Sequence, residues 1–133
     1  MIVVGSAAID PNYRPSNSLL YNRVVEPLFM RKPGRTLYED NARMEAVVRD
    51  SDVNWTIVRA CWLFDAAAVT RYQLSSGSAQ GMYTARSDLA ACMLAQLTDD
   101  RFTRKVVAVN TTIDTPSLVR QIWNEGIKKA KKH

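Results

Sequence analysis

Residues 53–59 read VNWTIVR, and this short run decides the fold class of the chain. Its apolar, β-branched residues up to Val58 are typical of a buried strand. The polar residues 50–52 end the preceding pattern, in which apolar residues recur at helical spacing from Leu37 to Val48. A strand that follows an amphipathic helix after a short polar break predicts an α/β layer.

The same signals recur on both sides of this run. They predict at least three strands, at 2–5, 53–59 and 105–109. They predict helices over most of 37–49, 87–97 and 116–130, with a further helical pattern over 19–28. Residues 73–81 predict a loop, residues 82–84 predict a short strand, and residues 60–70 leave helix and strand both open. The alternation favours a single domain, residues 1–133, with a mainly parallel sheet and flanking helices.

Polar residues stand where these helices are expected to begin. Thr36 and Glu39 have the spacing of a capping box, and Thr115 precedes a proline in the first turn. Ser87 is expected to cap the helix that starts there, and the dipole of that helix favours the Asp88 carboxylate. These residues therefore predict helix starts rather than chemistry.

The composition indicates a globular protein whose body carries little net charge. Of the 133 residues, 47% are hydrophobic, which suffices for one packed domain. The formal net charge is +5, and it falls to +1 without the four lysines among the last six residues. A basic face for nucleic acid is therefore not indicated on the body, and nucleic acid is not an expected partner.

The cysteines and the one histidine do not form a metal-binding pattern. Cys61 and Cys92 lie on separate apolar stretches and the histidine is the last residue, so no metal site is predicted. Unpaired cysteines fit a reducing compartment. The apolar residues 2–4 are too few for a signal peptide, and no run approaches the ~18 apolar residues that span a bilayer. We therefore expect a cytoplasmic protein that does not enter a membrane.

Two side chains near the central strand are interpreted as structural. Arg59 is expected to tie down a loop or to pair with an acid such as Asp65 or Asp88, with phosphate binding as the alternative. Cys61 is expected to be unreactive, because no lysine or histidine next to it in the sequence lowers its pKa.

Four segments occur in an order that resembles one protein family. They are Val3-Val4-Gly5-Ser6, Asp40-Asn41-Ala42-Arg43-Met44-Glu45, Trp55-Thr56-Ile57-Val58-Arg59-Ala60 and Thr84-Ala85-Arg86-Ser87-Asp88-Leu89-Ala90. Together they resemble the atypical short-chain dehydrogenases of the NAD(P)H-binding, NmrA-like type, and within it the flavin reductase/biliverdin reductase B group. The resemblance covers roughly residues 2–110 and corresponds to the C-terminal half of such an enzyme. It implies a partial Rossmann-like, doubly wound layer.

The resemblance also implies where a cofactor and a substrate would lie. Ser6 matches the family serine at the carboxyl end of its strand and is the candidate catalytic residue, and with Ala7 it would border the nicotinamide. The segment Ala60-Cys61-Trp62-Leu63 matches the one that lies against the nicotinamide ring. Asn41 and Trp62 are the candidate substrate-binding residues, and the cofactor would be NADP or NAD. Each of these residues also has a purely structural interpretation. Ser6 would then be a small residue that ends a buried strand, Asn41 a solvated helix residue and Trp62 a core residue.

The chain departs from that family in ways that limit its chemistry. All five glycines are isolated, and none builds the G-x-G-x-x-G turn that brings a backbone close to a pyrophosphate. Ala60 stands where the family has a proline after its arginine. Counting four residues on from Tyr38 gives Ala42, so the Tyr-x-x-x-Lys pair of the classical enzymes is missing.

Three functions therefore stay open. The first is a truncated or half-length NAD(P)H-dependent reductase for flavin-like or quinone-like substrates, with weak or no cofactor binding by the chain alone. The second is a non-catalytic binding or assembly module that retains the fold. The third is a binder of nucleic acid or another acidic partner through the lysine run. Because a parallel sheet cut at its middle exposes an edge, we expect a homo-oligomer.

Overall fold

The structure is a computed structural model that describes residues 1–14 and 32–117, together with Arg23 and Arg120. Within these residues it contains six strands and two α-helices. The strands are β1 (Ile2–Ser6), β2 (Thr56–Ala60), β3 (Trp62–Phe64), β4 (Tyr72–Ser75), β5 (Tyr83–Ala85) and β6 (Lys105–Thr111). The helices are α1 (Lys32–Arg49) and α2 (Arg86–Ala95). Short 3-10 turns lie at Ala7–Ile9 and Asp100–Phe102.

Four strands form the main sheet, in the order β1–β2–β6–β4. β1, β2 and β6 run parallel, with Ser6 opposite Ala60 and Ala60 opposite Val109, and β4 is an antiparallel edge strand. β3 and β5 pair parallel in a small second sheet. The three parallel strands of the main sheet therefore end side by side, and we call this border of the sheet the carboxyl edge.

Alternate side chains of the central strands point to opposite faces of the sheet, and a helix covers each face. α1 packs on the face that carries Ile57, where Val48 and Trp55 complete a buried cluster. α2 packs on the other face, where Leu89 meets Val58. Because both faces are covered, the central strands are nearly continuous apolar runs instead of alternating patterns.

The three predicted strands are confirmed, and the bounds of the middle one differ. β2 begins at Thr56, and the two residues before it bond outside the strand ladder. The N-terminal amino group of Met1 donates to the Asn54 carbonyl, and the backbone N–H of Arg104 donates to the Trp55 carbonyl, with a distance of 2.6 Å in both cases. The helices predicted over 37–49 and 87–97 are confirmed as α1 and α2, and residues 60–70, left open by periodicity, contain β3. The patterns over 19–28 and 116–130 lie largely outside the described residues.

Three local predictions are wrong. α1 begins four residues before Thr36, which therefore lies inside the helix and does not cap it. α2 follows Ala85, which makes no side-chain cap, and the Ser87 hydroxyl donates to the Ala68 carbonyl instead (2.9 Å). Residues 72–75 form a strand where a loop was expected from residue 73, because the outer edge of β6 offers hydrogen bonds that no local pattern reveals.

Asp88 ties the start of α2 to the end of β6. Its buried carboxylate accepts hydrogen bonds from the Thr70 amide (2.6 Å), the Thr70 hydroxyl (2.7 Å) and the Thr111 hydroxyl (2.6 Å). Burial by itself raises the pKa of this carboxyl, but the hydrogen bonds from Thr111 and Thr70 outweigh burial and hold the pKa below its usual value. The structural role predicted for Asp88 is confirmed.

Among the described residues, no helix is both long and apolar enough to cross a membrane. That part of the chain also contains no group of three or more His, Cys, Asp or Glu residues that could hold a metal ion. Cys61 and Cys92 are free thiols in buried positions.

Candidate functional site

The candidate site lies at the carboxyl edge, where β1 and β2 end together. Ser6, the last residue of β1, is in register with Ala60, the last residue of β2. The Ser6 side chain is partly exposed, and its Oγ accepts a hydrogen bond from the Ala8 N–H (3.2 Å), which caps the 3-10 turn. A hydroxyl that accepts in this way can still donate its hydrogen to a ligand. Open parallel sheets bind ligands at this end of their strands.

The six residues predicted to contact a nicotinamide divide into two groups. The partly exposed ones are Ser6, Trp62 and Leu63. Those with only 1%, 6% and 8% of their surface exposed are Ala7, Ala60 and Cys61. The structure thus places all six at one edge, but a ligand reaches the second group only if the chain moves.

Cys61 is held in place by its backbone and is unreactive. Its N–H donates to the Thr84 hydroxyl (2.9 Å), which in turn donates to the Val109 carbonyl at the end of β6 (2.7 Å). Its thiol donates to the Gly81 carbonyl, with Sγ 3.4 Å from the oxygen. Burial raises the pKa of the Cys61 thiol, so the thiol stays protonated at neutral pH and is a poor nucleophile, as the sequence predicted.

Arg59 forms a buried ion pair with Glu45 of α1. The guanidinium Nε and Nη2 lie 3.0 Å and 2.8 Å from the two carboxylate oxygens, and only 4% of the Glu45 side chain is exposed. The partners expected from sequence are wrong, since Asp65 pairs with Arg86 (2.7 Å) and Asp88 accepts from two threonines.

The alternation of β2 explains why Arg59 finds Glu45. Arg59 lies two residues after Ile57, so both point to the face that α1 covers. A signal for this contact was present in the sequence, because Glu45 interrupts the apolar side of α1 between Met44 and Val48. The pair also occupies two of the guanidinium nitrogens that a phosphate would need.

Gly5 makes room for this ion pair. A Cβ atom at this position would lie 2.6 Å from Glu45 Oε1, closer than van der Waals contact allows. The glycine near the end of β1 therefore faces a carboxylate and is not part of an anion cradle. The backbone at Gly5 faces a negative charge and therefore does not fit the pyrophosphate of a dinucleotide, whereas the contacts of Ala7 and Ala60 with a nicotinamide stay a prediction.

Asn41 lies on α1 one helical turn before Glu45, so the two residues share a face of the helix. Since Glu45 reaches Gly5, this face looks onto the end of β1. Asn41 is partly buried, and its Nδ2 donates to the Leu37 carbonyl of the same helix (3.1 Å). Its role in substrate binding stays a prediction.

The small sheet of β3 and β5 places an aromatic cluster next to the edge. The Tyr83 ring centroid lies 6.1 Å from that of Trp62 and 6.2 Å, edge to face, from that of Phe64. The Tyr83 hydroxyl is buried and has no hydrogen-bond partner within the described part of the chain, and burial raises the pKa of this phenol. Sequence reasoning missed Tyr83, because its partners come from a different strand.

Sequence reasoning also missed two residues after β1 that form hydrogen bonds with the segment 78–81. Asp10 accepts a hydrogen bond from Ser78 Oγ (2.6 Å), and the Tyr13 hydroxyl donates to the Gly81 carbonyl (2.8 Å). Each bond joins residues 68 positions apart, so no local pattern could have marked them.

Comparisons with known proteins relate this geometry to a family. A family model described as NAD(P)H-binding matches residues 1–100. A short-chain dehydrogenase/reductase from Veillonella parvula DSM 2008, solved in complex with NADP, is similar with a TM-score of 0.69 and 21% identity over 88% of this chain and 54% of that chain. ChuY from E. coli CFT073 is similar with a TM-score of 0.60 and 19% identity over 87% and 54% of the two chains. ChuY from Escherichia coli O157:H7, an anaerobillin reductase, is similar with a TM-score of 0.58 and 16% identity over 88% and 52%.

A comparison with curated protein sequences finds no match. The likenesses to solved structures show a Rossmann-like α/β architecture and confirm the predicted fold class. The chain spans about half the length of these structures, so it corresponds to part of such a domain. Because the family model matches most of its residues, the chain belongs to the NAD(P)H-binding family.

Proposed function

We propose that the chain forms the substrate-side half of an NAD(P)H-dependent reductase that acts on flavin-like or quinone-like substrates. The observation that carries this proposal is the pairing of Ser6 with Ala60, which sets a serine hydroxyl beside residues 60–63 at the carboxyl edge. NADPH or NADH, when bound, supplies a hydride for the substrate. The part of the protein is then to orient the two reactants.

The ionisable groups near the edge support a reaction of this kind. Burial raises the pKa values of the Cys61 thiol and the Tyr83 phenol, and the hydrogen bond from Ser78 lowers the pKa of the Asp10 carboxyl. None of these three groups changes its charge state near neutral pH. A general acid or base needs a pKa close to the working pH, so none of the three is suited to that role. A site of this kind suits flavins and quinones, which can take up protons from water after they accept a hydride.

Ser6 is the residue that we expect to orient the ligand. The Ala8 N–H holds its Oγ in position, so the hydroxyl hydrogen is available to a carbonyl oxygen of the nicotinamide or the substrate. Trp62 offers a partly exposed ring to a flat substrate, and Asn41 offers an amide from the face of α1 that looks onto β1.

We expect the chain alone to bind the cofactor only weakly. Gly5 faces Glu45, and the isolated glycines provide no turn whose N–H groups converge on a pyrophosphate. The remaining contacts are those between a nicotinamide ring and small side chains. We expect a Kd above about 1 mM, which corresponds to less than about 4 kcal/mol of binding free energy.

Backbone amide shifts in NMR spectra test this function, because they register binding even at a millimolar Kd. NADPH or reduced nicotinamide mononucleotide should shift the amides of residues 6–7 and 60–63, and flavin mononucleotide should shift those around Trp62. Ser6→Leu should abolish the nicotinamide shifts, while the control Thr98→Leu, an exposed position beyond the far end of α2, should leave them unchanged. Shifts confined to other parts of the chain, or unchanged shifts in a folded Ser6→Leu variant, would refute the site.

The alternative is a non-catalytic binding or assembly module. The burial of Ala7, Ala60 and Cys61 favours it, since half of the predicted cofactor contacts are hidden. No amide shift with either nicotinamide or flavin probes at millimolar concentration would support this alternative against the reductase.

We also propose that the chain self-associates through β1. Among the described residues β1 pairs only with β2, so its outer edge keeps backbone N–H and C=O groups without ladder partners. Val4 on this strand is 38% exposed. Two copies related by a twofold axis would pair β1 with its own counterpart and cover both features.

A further inference from the structure

The loop after β4 crosses the carboxyl edge and is fastened to the segment after β1. We call residues 76–81 the strap. Ser78 Oγ of the strap donates to Asp10 Oδ2 (2.6 Å), and the Gly81 carbonyl at its end accepts from the Tyr13 hydroxyl (2.8 Å). These contacts join distant parts of the sequence, so tertiary packing and not local structure holds the strap in place.

Ala79 is the buried residue of the strap, and it lies over predicted cofactor contacts. It packs with Ala7, Cys61 and Ala108 in one buried cluster, and the Tyr13 ring packs against the same cluster. The strap, together with the Tyr13 ring, therefore covers Ala7 and Cys61, two of the three predicted contacts that a ligand does not reach in this arrangement.

The remaining residues of the strap are weakly held. Ser76, Gly77 and Gln80 are exposed, and a Cβ atom at Gly77 would meet nothing within 4 Å. The closed arrangement therefore depends on Ala79, on the Ser78 bond to Asp10 and on the Gly81 carbonyl, which accepts from both Tyr13 and Cys61.

The bond between Ser78 and Asp10 is charge-assisted. The hydrogen bond from Ser78, followed by the Asn12 N–H and the charge of Arg59, holds the pKa of the Asp10 carboxyl below its ordinary value against the opposing effect of burial. The carboxylate is therefore ionised at neutral pH, and hydrogen bonds to an ionised acceptor are stronger than neutral ones.

We propose that the strap is a gate: the bond between Asp10 and Ser78 holds it shut over Ala7 and Cys61, and its release opens the carboxyl edge to a ligand. The identity of that ligand, the nicotinamide ring, rests on the function proposed above. The opening itself does not, because it depends only on contacts within this chain.

The two cysteines of the chain make the opening measurable. Cys61 lies under the strap, whereas Cys92 belongs to α2 and is fully buried where that helix packs on the other face of the sheet. A thiol reagent at pH 8, read site by site by mass spectrometry, should label Cys61 only when the strap opens. The labelling rate then follows the opening equilibrium when reclosing is fast.

Ser78→Ala removes the donor hydroxyl and should speed the labelling of Cys61 by about fivefold or more, the effect of losing roughly 1 kcal/mol from a partly exposed charge-assisted bond. Asp10→Asn keeps a neutral amide oxygen that can still accept from Ser78, so it should speed the labelling by a smaller factor. The double variant should be no faster than Ser78→Ala, because both changes act on the same bond. Ser76→Ala is the matched control, since Ser76 lies in the same segment and is exposed. It should label at the wild-type rate.

Cys92 reports whether the whole fold opens instead. Burial raises the pKa of its thiol to about 11, and its labelling should stay slow in every variant. Unchanged Cys61 labelling in both Ser78→Ala and Asp10→Asn would overturn the gate. Equal acceleration at Cys61 and Cys92 would also overturn it, because it would show global loosening.

A second arm separates the gate from the proposed function. Reduced nicotinamide mononucleotide at millimolar concentration should slow the labelling of Cys61 in Ser78→Ala, because the ring would occupy the uncovered edge. If labelling is accelerated in the variants but this probe gives no protection, the gate stands and the nicotinamide assignment fails.

Discussion

Replacing Arg59 by methionine should destabilise the fold by about 2–3 kcal/mol. Removal of one partner from a buried ion pair typically costs about 3–5 kcal/mol, because the other charge stays buried without compensation. Glu45 is in this position, since only 4% of its side chain is exposed and both of its oxygens bond to Arg59. The expected loss is smaller than the typical one because Arg49 lies 3.3 Å from the same carboxylate and can neutralise part of its charge.

Two further variants separate the contribution of the ion pair between Arg59 and Glu45 from that of its neighbours. Arg49→Met should cost less than about 1 kcal/mol, because about half of the Arg49 side chain is exposed and exposed pairs contribute little. The double variant Glu45→Leu with Arg59→Met removes both charges together. It should be more stable than Arg59→Met alone, because no unpaired buried charge remains.

Urea unfolding followed by tryptophan fluorescence measures these differences. Trp55 is buried in the cluster between α1 and β2, so its emission reports on the region that the ion pair holds. In a thermal melt the Arg59→Met loss corresponds to a fall in Tm of roughly 5–15 °C for a chain of this size. A loss no larger than that of Arg49→Met, or a double variant less stable than Arg59→Met, would refute the reasoning.

Three more predictions concern single positions. Asp88 has a lowered pKa in the fold, so its contribution to stability is full above its unfolded pKa of about 3.9 and is lost as pH falls through its folded pKa. The stability gap between wild type and Asp88→Asn should therefore be constant from about pH 7 to pH 5 and shrink below about pH 4 in urea titrations, and a gap unchanged at about pH 2 would contradict this. Val4→Lys should shift sedimentation toward the monomer by placing a charge on the outer strand, and a dimer that persists would place the interface elsewhere. Gly5→Ala should cost about 1–3 kcal/mol in unfolding free energy through the contact with Glu45, and most of that cost should vanish in a Glu45→Ala background if the contact is its cause.

Most of the framework could be predicted from local pattern. β1, β2 and β6 were found because β-branched runs between polar breaks form strands, and α1 and α2 because apolar residues recur at helical spacing. The side of the sheet that would hold a ligand followed from chain order, since parallel strands end at the same edge. The bounds of β2 and the caps of α1 and α2 were less accessible, because neighbouring segments compete for the same backbone groups.

For the candidate site, the position of the residues could be predicted from the sequence, but their accessibility could not. Ser6 and Ala60 end β1 and β2, and residues 61–63 follow directly, so their place at the carboxyl edge could be predicted from the sequence. Their accessibility did not follow from the sequence, because the strap that covers Ala7 and Cys61 is held by contacts 68 positions away.

The sequence by itself determined the alternation of strands and helices, the parallel direction of β1, β2 and β6, and the lack of a glycine turn for a pyrophosphate. These features depend on periodicity and on residue type within a few positions. Only the tertiary structure decided that Arg59 pairs with Glu45, that residues 72–75 extend the sheet and that the strap closes over Cys61. Each of these contacts forms when distant elements are brought side by side, and its energy depends on a distance and a burial that no local pattern contains.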